Sequence, residues 1–279
     1  MTRPKRRRMV KKSSGSYRQF WPLVVMVLAV ALGLWFWQSR ADSNSSHDLG
    51  SSASPKKTSK GQKTAESAPS FNKNQHSVSD PASLWVIVNK GRQLPSDYRP
   101  SDLVIPSVKL RYPSGSEMML RAEAAQALAE MFNTASNDGI KLMLASGFRS
   151  FSLQEAIYQR HVNDFGLAQA DRVSARPGHS EHQTGWAADV APTSGRCLIE
   201  ECFGGMAEGR WVATRAADFG FILRYPAGGE ALTGYSYEPW HIRYVGKLLS
   251  AELKKDQLTL EQFFNLPTFA TYPESISQL

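Results

Sequence analysis

Hydrophobic and polar positions divide the chain into four stretches of different character. Residues 1–19 are polar and basic, and Phe20 to Trp37 is apolar throughout, interrupted only by Pro22 and Gly33. Residues 38–83 turn polar again, with Leu49, Phe71 and Val78 the only large apolar side chains. From Leu84 to Leu279 apolar residues recur in the patterns of a folded domain. Leu84 to Val88 is a short apolar run that predicts a strand. Between Arg121 and Ser136, Ala124, Ala125, Leu128, Met131 and Phe132 fall at helical spacing, and Asn137-Asp138-Gly139 is a stop signal. Ile140 to Ala145 reads as a buried strand. Ser150 is placed to cap a helix from Ser152 to Phe165, which Gly166 would end. Trp186 to Val190 is a second buried strand. A helix over Arg210–Phe219, a strand over Phe221–Tyr225, an extended Tyr237–Tyr244 and a helix over Val245–Leu253 complete the pattern. Helices and strands mix without regular βαβ alternation, which predicts an α+β fold with a central, partly antiparallel sheet flanked by helices.

The apolar stretch 20–37 is 18 residues long and carries no charge. At 1.5 Å per helical residue it can cross a hydrocarbon core of about 30 Å. Trp21 at one end and Trp35, Phe36 and Trp37 at the other suit the two interfaces. A cleaved signal peptide has a shorter apolar core ending in small residues, whereas bulky aromatics end this one. The expectation is a single-pass membrane anchor. Eight basic and no acidic residues in 1–19 would keep the N-terminus in the cytoplasm and send the rest across. The Ser-rich segment 38–83 has little to bury and predicts a disordered linker. The whole chain has a formal charge of +8, yet the 196 residues from Leu84 onward carry 19 basic and 21 acidic side chains. The basicity belongs to the tail and linker, so nucleic acid is not the expected partner of the domain.

Chemistry concentrates at three of the six histidines. His47 and His76 lie in the linker segment, and His161 sits on a helix as a surface or half-buried residue. His179 and His182 fall in Arg176-Pro177-Gly178-His179-Ser180-Glu181-His182-Gln183-Thr184-Gly185-Trp186-Ala187-Ala188-Asp189, and His241 in Glu238-Pro239-Trp240-His241. A hydrolytic zinc site needs about three nitrogen or oxygen ligands, an open position and a nearby base. His182, Asp189 and His241 offer two imidazoles and a carboxylate, and Glu238 offers the base. Asp189 stands inside an apolar strand, where a bare charge is costly and a metal ion is a fitting partner. A buried Arg is the competing partner for Asp189. For His182 or His241 taken singly, an ordinary hydrogen-bonded core histidine is the competing account.

Ser180-x-His182-x-x-Gly185-x-Ala187-x-Asp189 followed by Glu238-x-x-His241 resembles the zinc D-alanyl-D-alanine carboxypeptidases of the VanY type, which share a fold with the hedgehog signalling domain. Ser146-Gly147-Phe148-Arg149-Ser150, Phe221 to Pro226, Thr233-Gly234-Tyr235 and Glu238 to Gly246 are similar too, in order along 84–279. Phe148 and Trp186 stand where the family pattern has Tyr and Leu. The resemblance implies that His182, Asp189 and His241 hold Zn²⁺ and that Glu238 is the catalytic base, shuttling a proton from water to the leaving amine. It implies that Arg149 steadies the scissile carbonyl as it gains charge. It further implies that Gln154 and Ser180 bind the substrate's terminal carboxylate. Tyr158, one turn beyond Gln154 on the same helix face, is a candidate pocket residue, with core packing as its alternative.

The implied activity is removal of the C-terminal D-alanine from peptidoglycan stem peptides, on the outer side of the membrane. An L,D-carboxypeptidase or a peptidoglycan endopeptidase of the same fold is the near alternative. A non-catalytic zinc-containing wall-binding module is the distant one, because it would have no use for Glu238 and Arg149. In an exported domain Cys197 and Cys202, five positions apart, are expected to form a disulfide that staples a loop beside the site.

Overall fold

The computed structural model describes residues 71–274. The basic tail, the apolar stretch 20–37 and the linker up to residue 70 lie outside the described residues. Among the described residues no helix is long and apolar enough to cross a membrane. In chain order the strands are β1 (Leu103–Val104), β2 (Leu120–Arg121), β3 (Leu142–Ser146), β4 (Ala187–Pro192), β5 (Phe221–Leu223) and β6 (His241–Tyr244). The helices are α1 (Ala122–Asn137), α2 (Phe151–Phe165), α3 (Leu167–Val173), α4 (Ala207–Arg215), α5 (Glu230–Thr233), α6 (Lys247–Asp256) and α7 (Leu260–Phe263).

Four strands form one sheet in the order β3-β4-β6-β5. All three pairings are antiparallel, so the expected partly antiparallel sheet is more regular than predicted. One parallel bridge, Leu110 to Leu144, stands apart from these ladders. Strand alternation gives the sheet two chemically different faces. Leu142, Leu144, Ala188, Val190, Ile242, Tyr244 and Phe221 point into the main core, where they meet the apolar stripe of α1. That stripe is Ala124, Leu128, Met131 and Ala135, each shielded from solvent. The opposite face carries Met143, Ala145, Asp189, Ala191, His241 and Arg243. Its residues are small at the strand crossing and polar where the site forms.

Leu84–Val88 does not become a strand. Trp85 to Val88 are buried, with Val86 and Val88 in the main core and Trp85 and Ile87 in a second core. Both faces are covered, but among the described residues no strand pairs with the run to complete a ladder. Arginine side chains take its carbonyls instead. Arg243 Nη2 donates to Leu84 O at 3.0 Å and Val86 O at 2.8 Å, and Arg92 Nε donates to Ile87 O at 3.1 Å. The continuous apolar run was a sound signal of two-sided burial and a poor one of pairing.

The linker reading also fails from Phe71 onward. Phe71 stacks on Trp85 with ring centres 5.4 Å apart and meets Phe263 edge-on at 5.4 Å. His76 packs against the Trp85 ring at 4.7 Å, and Val78 accepts Ile87 N–H at 3.1 Å. Two apolar anchors and one ring suffice to dock a Ser-rich segment when a groove with Trp85 at its base is there to receive them. The second core this segment covers also holds Leu249 and Leu253 of α6 and Leu260 and Phe263 of α7.

Candidate metal centre

Register sets the first two ligands. β4 and β6 pair so that Asp189 lies opposite His241, on the polar face of the sheet. The same pairing puts Ala187 opposite Arg243. His182 arrives from the tight helical turn Glu181–Thr184, which Gly185 closes in the left-handed region at φ 71°. A side chain at Gly185 would also press on Arg121 and Leu103, at 2.9 Å from each. The three side chains are buried, and their candidate ligand atoms all lie within 4.8 Å of one another. His182 Nε2 is 3.2 Å from Asp189 Oδ2, and His241 Nδ1 is 3.1 Å from Asp189 Oδ1.

The far nitrogen of each ring is held in its own way. His182 Nδ1 sits 2.6 Å from Gly147 O, so this nitrogen donates and leaves Nε2 bare toward the site. Gly147 is itself forced, because a Cβ there would run into the Met119 carbonyl. His241 is turned the other way, with Nδ1 inward and Nε2 facing Glu181 Oε2 at 3.5 Å. Neither of those last two atoms has a partner within ordinary hydrogen-bond geometry.

The charges are as concentrated as the geometry. Burial works against the Asp189 anion, but the two histidines outweigh it and hold its carboxyl well below the usual range. Burial pushes His182 down, with Arg149 adding to the effect. For His241 burial acts downward too, yet Asp189 and Glu181 prevail and push it up to about 9. Burial raises Glu238 to about 7, with Asp189 contributing. Two imidazole nitrogens and a carboxylate oxygen, converging in a buried acidic pocket, are the donor set that zinc takes. The residues present fit that ion.

Glu238 has its Oε2 3.9 Å from His241 Nδ1 and lines the cleft that opens from the centre. Arg149 lines the same cleft, 3.3 Å from Asp189 Oδ2 and 3.3 Å from Ser146 Oγ. Of the two partners considered for Asp189, a metal ion and a buried Arg, the structure shows a half-buried Arg149 beside it, together with the two histidines that would share a metal ion with it. A bulge between Leu144 and Ser146 shifts β3 so that Ser146 faces Asp189. Arg149 enters α2 beside Ser150, whose side chain caps the helix by accepting Leu153 N–H at 3.2 Å. Gln154 receives Arg149 Nη1 at 2.8 Å and donates to Ala175 O at 2.7 Å. It is buried behind Arg149 and does not line the cleft. Ser180 does line it. Tyr158 does not: its hydroxyl donates to Asp171 at 2.6 Å and joins α2 to α3.

The cleft has a volume of about 520 Å³, with Arg111, Tyr112, Glu117, Arg160 and Trp240 along its walls. His161, read as a surface or half-buried residue, also faces it. The Cys197–Cys202 disulfide forms as expected, and its loop brings Ile199 to the cleft. Leu198 of the same loop packs on Met143, Ala145 and Ala191. Sequence reading passed over Glu181, Arg224 and Arg243, although the signal was present. Arg224 and Arg243 interrupt apolar strands just as Asp189 does, and a charge inside such a run needs a built partner.

A buried His–Asp–His donor set in an open cleft, with a carboxyl and a guanidinium lining the same cleft, defines a metal-dependent hydrolase. A family model described as VanY, D-alanyl-D-alanine carboxypeptidase, matches residues 117–247. The chain is 42% identical to the putative carboxypeptidase YodJ of Bacillus subtilis, over 67% of its own length and 69% of that protein. The chain belongs to the VanY D-alanyl-D-alanine carboxypeptidase family. It is also similar to the solved LdcB LD-carboxypeptidase, with 41% identity over 68% of this chain and 89% of that one, at a TM-score of 0.64. A vancomycin-resistance D,D-pentapeptidase VanY solved in complex with Zn(II) matches at 31% identity and a TM-score of 0.53, over 64% of this chain and 98% of that one.

Proposed function

We propose that this chain is a zinc carboxypeptidase that removes the C-terminal D-alanine from peptidoglycan stem peptides. The observation that carries the reading is the complete set in one cleft: His182, Asp189 and His241 as candidate ligands, with Glu238 and Arg149 lining the same cleft beside them. Zinc held by the three ligands supplies Lewis acidity to the scissile carbonyl and makes a water molecule acidic enough to attack at neutral pH.

The rest is done by the chain's own groups. Glu238, raised to about 7, accepts the proton of the attacking water as the new C–O bond forms. The Arg149 guanidinium, braced by Gln154 and Ser146, faces the carbonyl oxygen as negative charge builds on it. As the C–N bond breaks, Glu238 returns that proton to the departing amine, and free D-alanine leaves. Ser180, at the cleft wall, is placed to meet the terminal carboxylate of the substrate.

Two cuts suit this chemistry. Cleavage between two D-alanines of a pentapeptide is the first reading. Cleavage of the L,D bond that ends a tetrapeptide is the second, favoured by the higher identity and TM-score to the LD-carboxypeptidase structure. Mass spectrometry of synthetic pentapeptide and tetrapeptide stems incubated with the chain separates them. Loss of one D-alanine from the pentapeptide supports the D,D reading, trimming of the tetrapeptide alone supports the L,D reading, and an untouched pair refutes both.

The apolar run 20–37, with its aromatic ends and the basic residues before it, supports an uncleaved membrane anchor with the enzyme domain on the outer side. Retention of the chain in the membrane pellet after alkaline carbonate extraction is the expected result. Release into the supernatant would contradict the anchor.

A further inference from the structure

Beneath the ligands the wall of the centre is ionic. Glu181, Arg224, Arg243 and Glu261 all have side chains with no exposure to solvent. Arg224 donates through Nε to Glu181 Oε1 at 2.8 Å and through its two terminal nitrogens to Glu261, at 3.0 and 2.6 Å. Arg243 donates to the same Glu181 Oε1 at 3.0 Å. Asn89 Nδ2 completes the shell of Glu261 at 3.1 Å.

The two carboxylates differ in one respect. Glu261 uses both oxygens on Arg224, whereas Glu181 turns a single oxygen to two guanidiniums. Its other oxygen, Oε2, is left aimed at His241 Nε2, 3.5 Å away, and both atoms lack any other partner. Charge balance alone does not call for this arrangement, since an apolar cluster of equal volume commonly matches a buried ion network in stability. A carboxylate behind a ligand histidine has a definite use. It accepts the ring N–H, fixes which nitrogen is bare, and makes that nitrogen a better donor to a metal.

We infer that Glu181 is a positioning residue for the metal: it receives the Nε2–H of His241 and so turns a bare Nδ1 toward Asp189 and the open site. Arg224 and Arg243 hold Glu181 in place, and Glu261 ties Arg224 to α7. His182 has the Gly147 carbonyl for the same purpose, so each ligand ring is anchored by the nitrogen it does not offer. The inference rests on the zinc reading above.

The test compares the full-length chain with Glu181→Gln and Glu261→Gln, which remove one negative charge each from the same buried network. Zinc affinity is read by competition with a chromogenic chelator, and the Tm of each metal-free chain is recorded beside it. Glu181→Gln is expected to weaken zinc binding about 10–100-fold, while Glu261→Gln, one partner further from the ligand, lowers Tm and weakens zinc binding much less. Equal loss of affinity in both variants, or wild-type affinity in Glu181→Gln, overturns the inference. A wild-type chain that binds no zinc refutes the zinc reading itself. Should Glu181→Gln fail to fold, long-range ¹H–¹⁵N correlation on the zinc-loaded wild type decides the matter. The ring proton is expected on Nε2 of His241 and on Nδ1 of His182, and a proton on Nδ1 of His241 overturns the assignment.

Discussion

On the proposed reading, Glu238 is the side chain on which turnover most depends and metal binding least. It faces the cleft from beside the ligands and is not one of the three converging donors. Glu238→Gln should therefore lower kcat by about 10²–10⁴-fold, the span general acid–base catalysis covers, while zinc still binds in the chelator competition. Loss of zinc together with activity would move Glu238 into the ligand set. Gly147 is the converse case, a residue with no chemistry of its own. Its carbonyl holds His182, and any Cβ would collide with the Met119 carbonyl. Gly147→Ala should cost about 1–3 kcal/mol in urea unfolding, as overpacking does, and should weaken zinc binding as well. Unchanged values of both would show that the turn adapts.

At the scale of elements, the second core depends on residues that the Ser-rich composition obscures. Phe71→Ala removes a ring stacked on Trp85 and edge-on to Phe263, and should destabilise the domain by about 1–2 kcal/mol. Thermal unfolding that is indifferent to this change would contradict the docking of 71–83. The α7 carboxylate Glu261 adds a pH dependence. Burial works against its anion, but Arg224 and Asn89 outweigh that and hold its pKa below the usual value. Its contribution is complete above an unfolded pKa of about 4.3 and fades as pH falls toward the lower folded value. Glu261→Gln should therefore flatten part of the Tm loss expected below about pH 5 in the wild type. An acid limb of the same steepness in both chains would place the titration elsewhere.

Across the whole molecule, what the sequence disclosed followed from how local each signal is. The α1 stripe, the Ser150 cap and the stop after Asn137 depend on near neighbours in the chain, and each stands where the pattern put it. The candidate donor set was legible because Asp189 is a charge in an apolar strand and the surrounding motif is family-like. Pairing was not legible at Leu84–Val88, since a ladder needs a second strand and none of the described strands pairs with it. The roles of Tyr158 and Gln154 were equally remote. One side of a helix can face a cleft, a neighbouring helix or a catalytic side chain, and only the fold chooses among them. Glu181 went unread because its partners, Arg224 and Arg243, lie 43 and 62 positions away.

The central claim is that His182, Asp189 and His241 hold a zinc ion that this chain uses to release D-alanine. The most direct measurement titrates zinc into the metal-free full-length chain and follows D-alanine release from pentapeptide and tetrapeptide stems. The account predicts no release without metal, and a rate that climbs to a plateau at one equivalent of zinc on at least one of the two stems. Release that persists after the metal is stripped, or none from either stem with one zinc bound, would contradict it.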